Sequence, residues 1–120
     1  MRALIIDDND QVLDVLSFLL ESNNIDIKTV NNGKTALEIL YNTDSQESFD
    51  IIFLDLAMPE MTGFQVVEDL HKKDSLHNKK IIVITALELS LEDQKSLLEK
   101  GVTAILKKPF LVEDVEKILH

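Results

Sequence analysis

Three runs of four apolar residues, Ala3 to Ile6, Ile51 to Leu54 and Ile81 to Ile84, limit the fold more than any other feature of this chain. Each is too short for a helix and shows no polar alternation. Such runs read as strands buried on both faces, and that kind of burial belongs to parallel sheets covered by helices. Between the runs the apolar spacing becomes helical. Val12, Leu13, Leu16, Leu19 and Leu20 share one helix face, with Asn9 or Asp10 as N-cap. Ala36, Leu37 and Leu40 mark a second, short helix after the turn Asn31-Asn32-Gly33. Thr62-Gly63 opens a third, with Phe64, Val67 and Leu70 on one face, after a break at Met58-Pro59.

The remaining elements follow the same alternation. Ile25, Ile27 and Thr29 alternate with polar residues, as in a half-exposed edge strand. Ser90 with Asp93 fits a capping box ahead of Leu91, Leu97 and Leu98, and Gly101 suits the position just past that helix. A fifth strand lies near Thr103 to Leu106, and Val112, Val115, Ile118 and Leu119 give a last amphipathic helix. Asn42 to Ser48 and Lys72 to Lys80 read as polar loops. The expectation is (βα) five times, an α/β doubly wound parallel sheet with right-handed crossovers, forming one unit over residues 1–120.

Five polar residues stand where these strands stop: Asp7 and Asp8, Asp55, Thr85, and Lys108 just before Pro109. In an open α/β sheet they would gather at the carboxyl edge, where ligands bind. If the first and third strands are neighbours there, the three carboxylates crowd together. Two unit charges about 5 Å apart repel by roughly 3 kcal/mol at an effective dielectric near 20. A hard divalent cation, best Mg²⁺, would supply the counter-charge and leave room for phosphate oxygens. Lys108 can hold a phosphoryl oxygen as a point charge, and Thr85 can donate to one. Pro109 favours this role for Lys108, since an X-Pro bond can be cis and aim the preceding side chain. Lys107 reads as a surface lysine, and His71, His77 and His120 as solvated. Taken singly, an Asp or Thr after a strand is a loop or cap residue; the combination points to metal-dependent phosphoryl chemistry.

Composition excludes other classes. The chain has 120 residues, 45% of them hydrophobic and 28% charged, as in a globular protein. It has no cysteine, hence no disulfide or thiolate metal site. The net charge of −10 argues against direct nucleic-acid binding and against an anionic membrane surface. No apolar stretch reaches spanning length and the start does not read as a signal peptide, so the cytoplasm is the expected location. Phosphate-cradling glycine loops, nucleophile elbows and paired-histidine metal motifs are absent from the sequence.

Asp7-Asp8, then Asp55-Leu56-Ala57-Met58-Pro59-Glu60-Met61-Thr62-Gly63, then Thr85-Ala86, then Lys108-Pro109-Phe110 resemble the receiver domain of two-component response regulators. The resemblance runs from the first strand to the last helix. It implies the flavodoxin-like order 2-1-3-4-5 and a phosphorylation-dependent switch. Asp55 would be the phosphoacceptor, charged by a histidine kinase or a histidine phosphotransfer protein. Asp8 would bind Mg²⁺ directly, Asp7 through water, and the backbone carbonyl of Ala57 would complete the protein ligands. Lys108 would contact the phosphoryl group, and Thr85 would move to bond it. Such a domain is not a general enzyme: it catalyses only its own phosphorylation and slow dephosphorylation. It would meet a downstream protein or output domain through the fourth helix, fifth strand and fifth helix, and the resemblance allows dimerisation on activation. Three residues before the lysine the family usually has Tyr or Phe; here it is Ile105. The signal is then expected in the Thr85 to Ser90 loop and the fourth helix.

Two other classes compete. An aspartyl-nucleophile phosphohydrolase of the haloacid dehalogenase kind needs a second Asp two residues after the nucleophile, where this chain has Ala57. A receiver-like module that is never phosphorylated would be expected to lack the acidic pair, the acceptor or the lysine, and all are present.

Overall fold

The computed structural model describes residues 1–42, 48–74 and 79–120. Its elements are β1 (Arg2–Ile6), α1 (Asp10–Ser22), β2 (Asp26–Val30), α2 (Gly33–Tyr41), β3 (Ile51–Asp55), α3 (Gly63–Lys72), β4 (Lys80–Thr85), α4 (Leu91–Glu99), β5 (Ala104–Lys107) and α5 (Val112–Leu119). The five strands form one parallel sheet in the order β2-β1-β3-β4-β5. The expected doubly wound (βα)₅ fold is therefore the observed one. Residues 43–47 and 75–78 of the two polar loops expected at 42–48 and 72–80, His77 among them, lie outside the described residues.

The apolar runs sit where two-faced burial requires them. β1, β3 and β4 occupy the middle of the sheet, and Ala3 to Ile6, Ile51 to Leu54 and Ile81 to Ile84 are all buried. Alternate residues of each strand serve opposite layers. Ala3, Ile5, Phe53, Ile82 and Ile84 pack with Leu16, Leu20 and Val115 of α1 and α5. Leu4, Ile6, Ile52, Leu54 and Val83 pack with Ala36, Val66, Leu70 and Leu97 of α2, α3 and α4. Each such leucine, isoleucine or phenylalanine contributes roughly 1.5–3 kcal/mol by leaving water. β2 is the half-exposed edge, with Thr29 turned out and Val30 buried.

Caps set where the helices begin. The Asn9 side chain accepts from the N–H groups of Gln11 and Val12, so Asn9, not Asp10, is the N-cap of α1. Asn32 caps α2. Thr62 and Gln65 form a reciprocal capping box on α3. At α4 only half of the expected box is present: Ser90 Oγ accepts from the Asp93 N–H. The apolar faces expected of the last two helices are only partly covered. Leu97 and Val115 are buried, whereas Leu91 (83% exposed), Leu98 (52%) and Val112 (52%) face water.

One glycine fixes the loop after β3. A Cβ on Gly63 would lie 2.3 Å from the Asp55 carbonyl oxygen and 2.7 Å from Leu56 Cα. The start of α3 therefore rests directly on the backbone that carries Asp55, and Gly63 N–H donates to the Leu56 carbonyl at 3.1 Å. Gly63→Ala is expected to lower stability by about 1–3 kcal/mol, because backbone must shift to admit the methyl group. Urea unfolding of the variant measures this, and an unchanged midpoint would contradict the contact.

Candidate functional site

Each functional side chain is delivered by a strand end. Asp7 and Asp8 follow β1, Asp55 closes β3, Thr85 closes β4, and Lys108 follows β5. In this order of strands the chain winds away in both directions from the β1–β3 pair, the switch point at which open α/β sheets form a crevice. The structure brings Asp7, Asp8 and Asp55 together there: one carboxylate oxygen from each lies within 4.8 Å of the others. Asp7 and Asp55 are buried and Asp8 is exposed. Lys108 Nζ stands 2.9 Å from Asp7 Oδ2 and 3.7 Å from Asp55 Oδ1. All the residues expected at this edge are thus present, with Thr85 buried beside them at the end of the neighbouring strand.

The same local device holds three of them. Asp7 Oδ1 accepts the Asn9 N–H at 2.9 Å, Asp55 Oδ1 accepts the Ala57 N–H at 3.1 Å, and Thr85 Oγ1 accepts the Leu87 N–H at 2.9 Å. Each is a turn in which a short polar side chain takes the N–H two residues on. It stops the strand and points the side-chain oxygen along the sheet edge. The β5 end is set differently. The Lys108 N–H donates to the Thr85 carbonyl at 2.7 Å, and the Lys108–Pro109 peptide is cis. Sequence reasoning found the side chains but not these amide donors, although a polar residue at a strand end followed by a turn carries the signal. It also missed the ion pair between Lys107 and Glu88 of the loop after β4.

Charge in the site does not balance. Among the described residues, three carboxylates face one ammonium, which leaves two negative charges if all are ionised. Asp7 Oδ2 is buried, and the Lys108 charge is near it, yet it makes no hydrogen bond of good geometry. An oxygen-only donor set with an unsatisfied buried carboxylate oxygen suits a hard divalent cation. Burial raises the Asp55 carboxyl from 3.8 to about 6; the Asp7 charge and a hydrogen bond with Asp8 add to this, and the Ala57 N–H and Lys108 oppose it.

Comparison with known proteins agrees with this geometry. Residues 3–120 match the response regulator receiver domain family. The chain belongs to that family. It is 34% identical to the hybrid signal transduction histidine kinase L of Dictyostelium discoideum over 98% of its own length and 7% of that protein. It is 34% identical to the two-component response regulator ORR3 of rice over 99% of its length and 88% of that protein. Its fold superposes with a TM-score of 0.84 on a CheY-like receiver domain from Methanospirillum hungatei, at 27% identity, covering 98% of this chain and 89% of that one. This receiver chain is therefore a module of two-component signalling, a family of switches rather than of general catalysts. No helix among its described residues is long and apolar enough to cross a membrane.

The raised pKa of Asp55 gives a pH dependence with a definite sign. Between about pH 4 and 6 the folded, metal-free receiver keeps a proton on Asp55 that the unfolded chain has released. This contribution makes stability fall as pH rises through that window, by roughly 2–3 kcal/mol in all. Asp55→Asn is expected to abolish that decline and to be more stable than the native chain at pH 7 in chelator. Denaturant unfolding at a series of pH values tests it; equal slopes for the two proteins would refute it.

Proposed function

We propose that this receiver is switched by transfer of a phosphoryl group to Asp55, with Mg²⁺ held by the acidic cluster. The observation that carries the reading is the convergence of three carboxylates and Lys108 at the switch point of the sheet. In the proposed step an Asp55 carboxylate oxygen attacks phosphorus. The bond from phosphorus to the donor's histidine nitrogen breaks, and the imidazole leaves with the electron pair and takes up a proton. Receiver domains bind Mg²⁺ in the acidic pocket. Asp8 and Asp55 would be direct ligands here, Asp7 would act through water, and the Ala57 carbonyl would complete the protein donors. Bound there, the ion would offset the carboxylate charge and that of the incoming phosphoryl oxygens.

The other side chains have roles that need no further group. Lys108, already within 3.7 Å of Asp55, would follow the phosphoryl oxygens as they arrive. Thr85 would turn its hydroxyl to donate to one of them. A protein donor, a histidine kinase or histidine phosphotransfer protein, has a surface to use: a groove of about 430 Å³ beside Lys108, lined by Val12, Val15, Ala86, Pro109 and Phe110 among others. Val15, and Phe18 three residues further along α1, stand exposed. The downstream protein or output domain would use the face of α4, β5 and α5, where Leu91 and Leu98 are exposed. The reading places the chain in the cytoplasm, with its kinases.

Acetyl phosphate with Mg²⁺ is expected to add one phosphoryl group, seen by intact mass, and chelator is expected to prevent it. Asp55→Asn should not be labelled; stoichiometric labelling of that variant would overturn the assignment. Removing a hard ligand should weaken the ion as well. Asp8→Ala is expected to lower Mg²⁺ affinity at least tenfold, about 1.4 kcal/mol or more, and a titration with unchanged affinity would remove Asp8 from the ligand set.

A further inference from the structure

The end of β4 holds a cavity that the phosphoryl chemistry does not use. Its volume is about 210 Å³, and Thr85, Leu87, Leu89, Gln94 and Ile105 line it. It lies where the residue three before Lys108 meets the loop after β4. Ile105, with its short branched side chain, is itself only partly buried and does not fill the space. Two charged residues, Glu88 and Lys107, also border the cavity, and both are exposed and paired with each other.

Leu87 is the anomalous wall of this cavity. It lines an unfilled, partly apolar space and is nevertheless 41% exposed. Leu89, on the same loop, is already packed against the core on the α2, α3 and α4 side. The Leu87 backbone is tied to the switch hydroxyl, since its N–H donates to Thr85 Oγ1 at 2.9 Å. A single rotamer step of a threonine moves its Oγ1 by about 2 Å, enough to break that bond or to drag the loop with it. Gln94 Nε2 donates to the Leu89 carbonyl at 3.2 Å, so the loop and the start of α4 move together. α4 is anchored at its far end, by buried Leu97 and by the 2.6 Å ion pair of Lys100 with Glu68 of α3. The Glu88–Lys107 pair crosses the cavity border, but an exposed pair resists displacement only weakly.

We infer that Leu87 is the moving part of the switch in this receiver: when Thr85 turns toward a phosphoryl group on Asp55, the Leu87 side chain leaves water and enters the cavity beside Ile105. The inference rests on the proposed role of Asp55 and goes beyond it by naming the group that takes the space. The driving force is local. Burying the exposed part of a leucine shifts a two-state equilibrium by roughly three- to eightfold. The movement also carries the start of α4, with exposed Leu91, relative to its fixed far end, which alters the proposed output face.

Beryllofluoride with Mg²⁺, a mimic of the acyl phosphate, tests this on the intact chain with assigned methyl resonances. In the bound state, nuclear Overhauser contacts from the Leu87 methyls to Ile105 should appear, and relaxation of those methyls by a soluble paramagnetic agent should fall. Leu87→Ala, at an exposed position that should not disturb folding, should bind beryllofluoride three- to eightfold more weakly. If the native chain binds the mimic while the Leu87 methyls stay solvent-exposed, or if Leu87→Ala binds as tightly as the native chain, the inference fails and the role of Asp55 stands. A native chain that does not respond to the mimic overturns both.

Discussion

Two carboxylates are buried side by side where β1 meets β3, and the rest of the site exists to make that tolerable. An unpaired buried carboxylate is costly, and such a group tends to take up a proton instead. Here the cost is met in parts. Lys108 lies between Asp7 and Asp55, the Asn9 and Ala57 amides each bind one oxygen, and Asp8 stays in water. The compensation is incomplete. Asp55 still holds its proton up to about 6, and Asp7 Oδ2 has charge nearby without a hydrogen bond. A fully compensated cluster would be a stable structural element. A partly compensated one has a standing affinity for positive charge and for groups that bring it.

The sheet supplies the precision that this arrangement needs. Parallel strands in register deliver their ends to one edge, and the strand-end turns orient the oxygens without using any long side chain. Gly63 shows how close the tolerance is. The start of α3 rests on the Asp55 carbonyl, so the loop that carries Asp55 and Ala57 has a floor of backbone rather than of side chains. The β4 and β5 ends are joined through the Lys108 amide and the Thr85 carbonyl. The cation that faces the cluster and the hydroxyl that would sense its state thus share one backbone hydrogen bond.

What could be read from the sequence follows from which constraints are local. β1, β3 and β4 were legible because a strand covered on both faces has no polar positions. The five polar residues at the sheet edge were legible because each stands at or just past a strand end, and parallel topology sends every strand end to the same edge. α4 and α5 were legible as helices but not in their burial. The spacing of Leu91, Leu97 and Leu98 describes an apolar face, and nothing in a spacing says whether another element covers it. Leu97 meets the core, while Leu91 and Leu98 face water. The Glu88–Lys107 pair, the floor under Asp55 and the cavity beside Ile105 join segments distant in sequence. They depend on where loops come to rest, which periodicity does not encode.

The two ends of the site differ in how tightly they are packed. On the β1–β3 side the aspartates lie against fully buried strands and a glycine contact that leaves no slack. On the β4–β5 side Thr85 is buried, but the loop after it is exposed at Ala86, Leu87 and Glu88, and α4 buries a single leucine. A phosphoryl group on Asp55, as proposed, would work against both sides at once. The stiff side cannot yield without disrupting the core, at several kcal/mol for each displaced large side chain. The loose side yields for the cost of an exposed ion pair and one amide hydrogen bond, each worth about 1 kcal/mol or less. Under the proposed phosphorylation of Asp55, movement would therefore run toward α4 in this chain. In that step Ile105, which leaves space beside the loop, would change what moves and not where the movement goes.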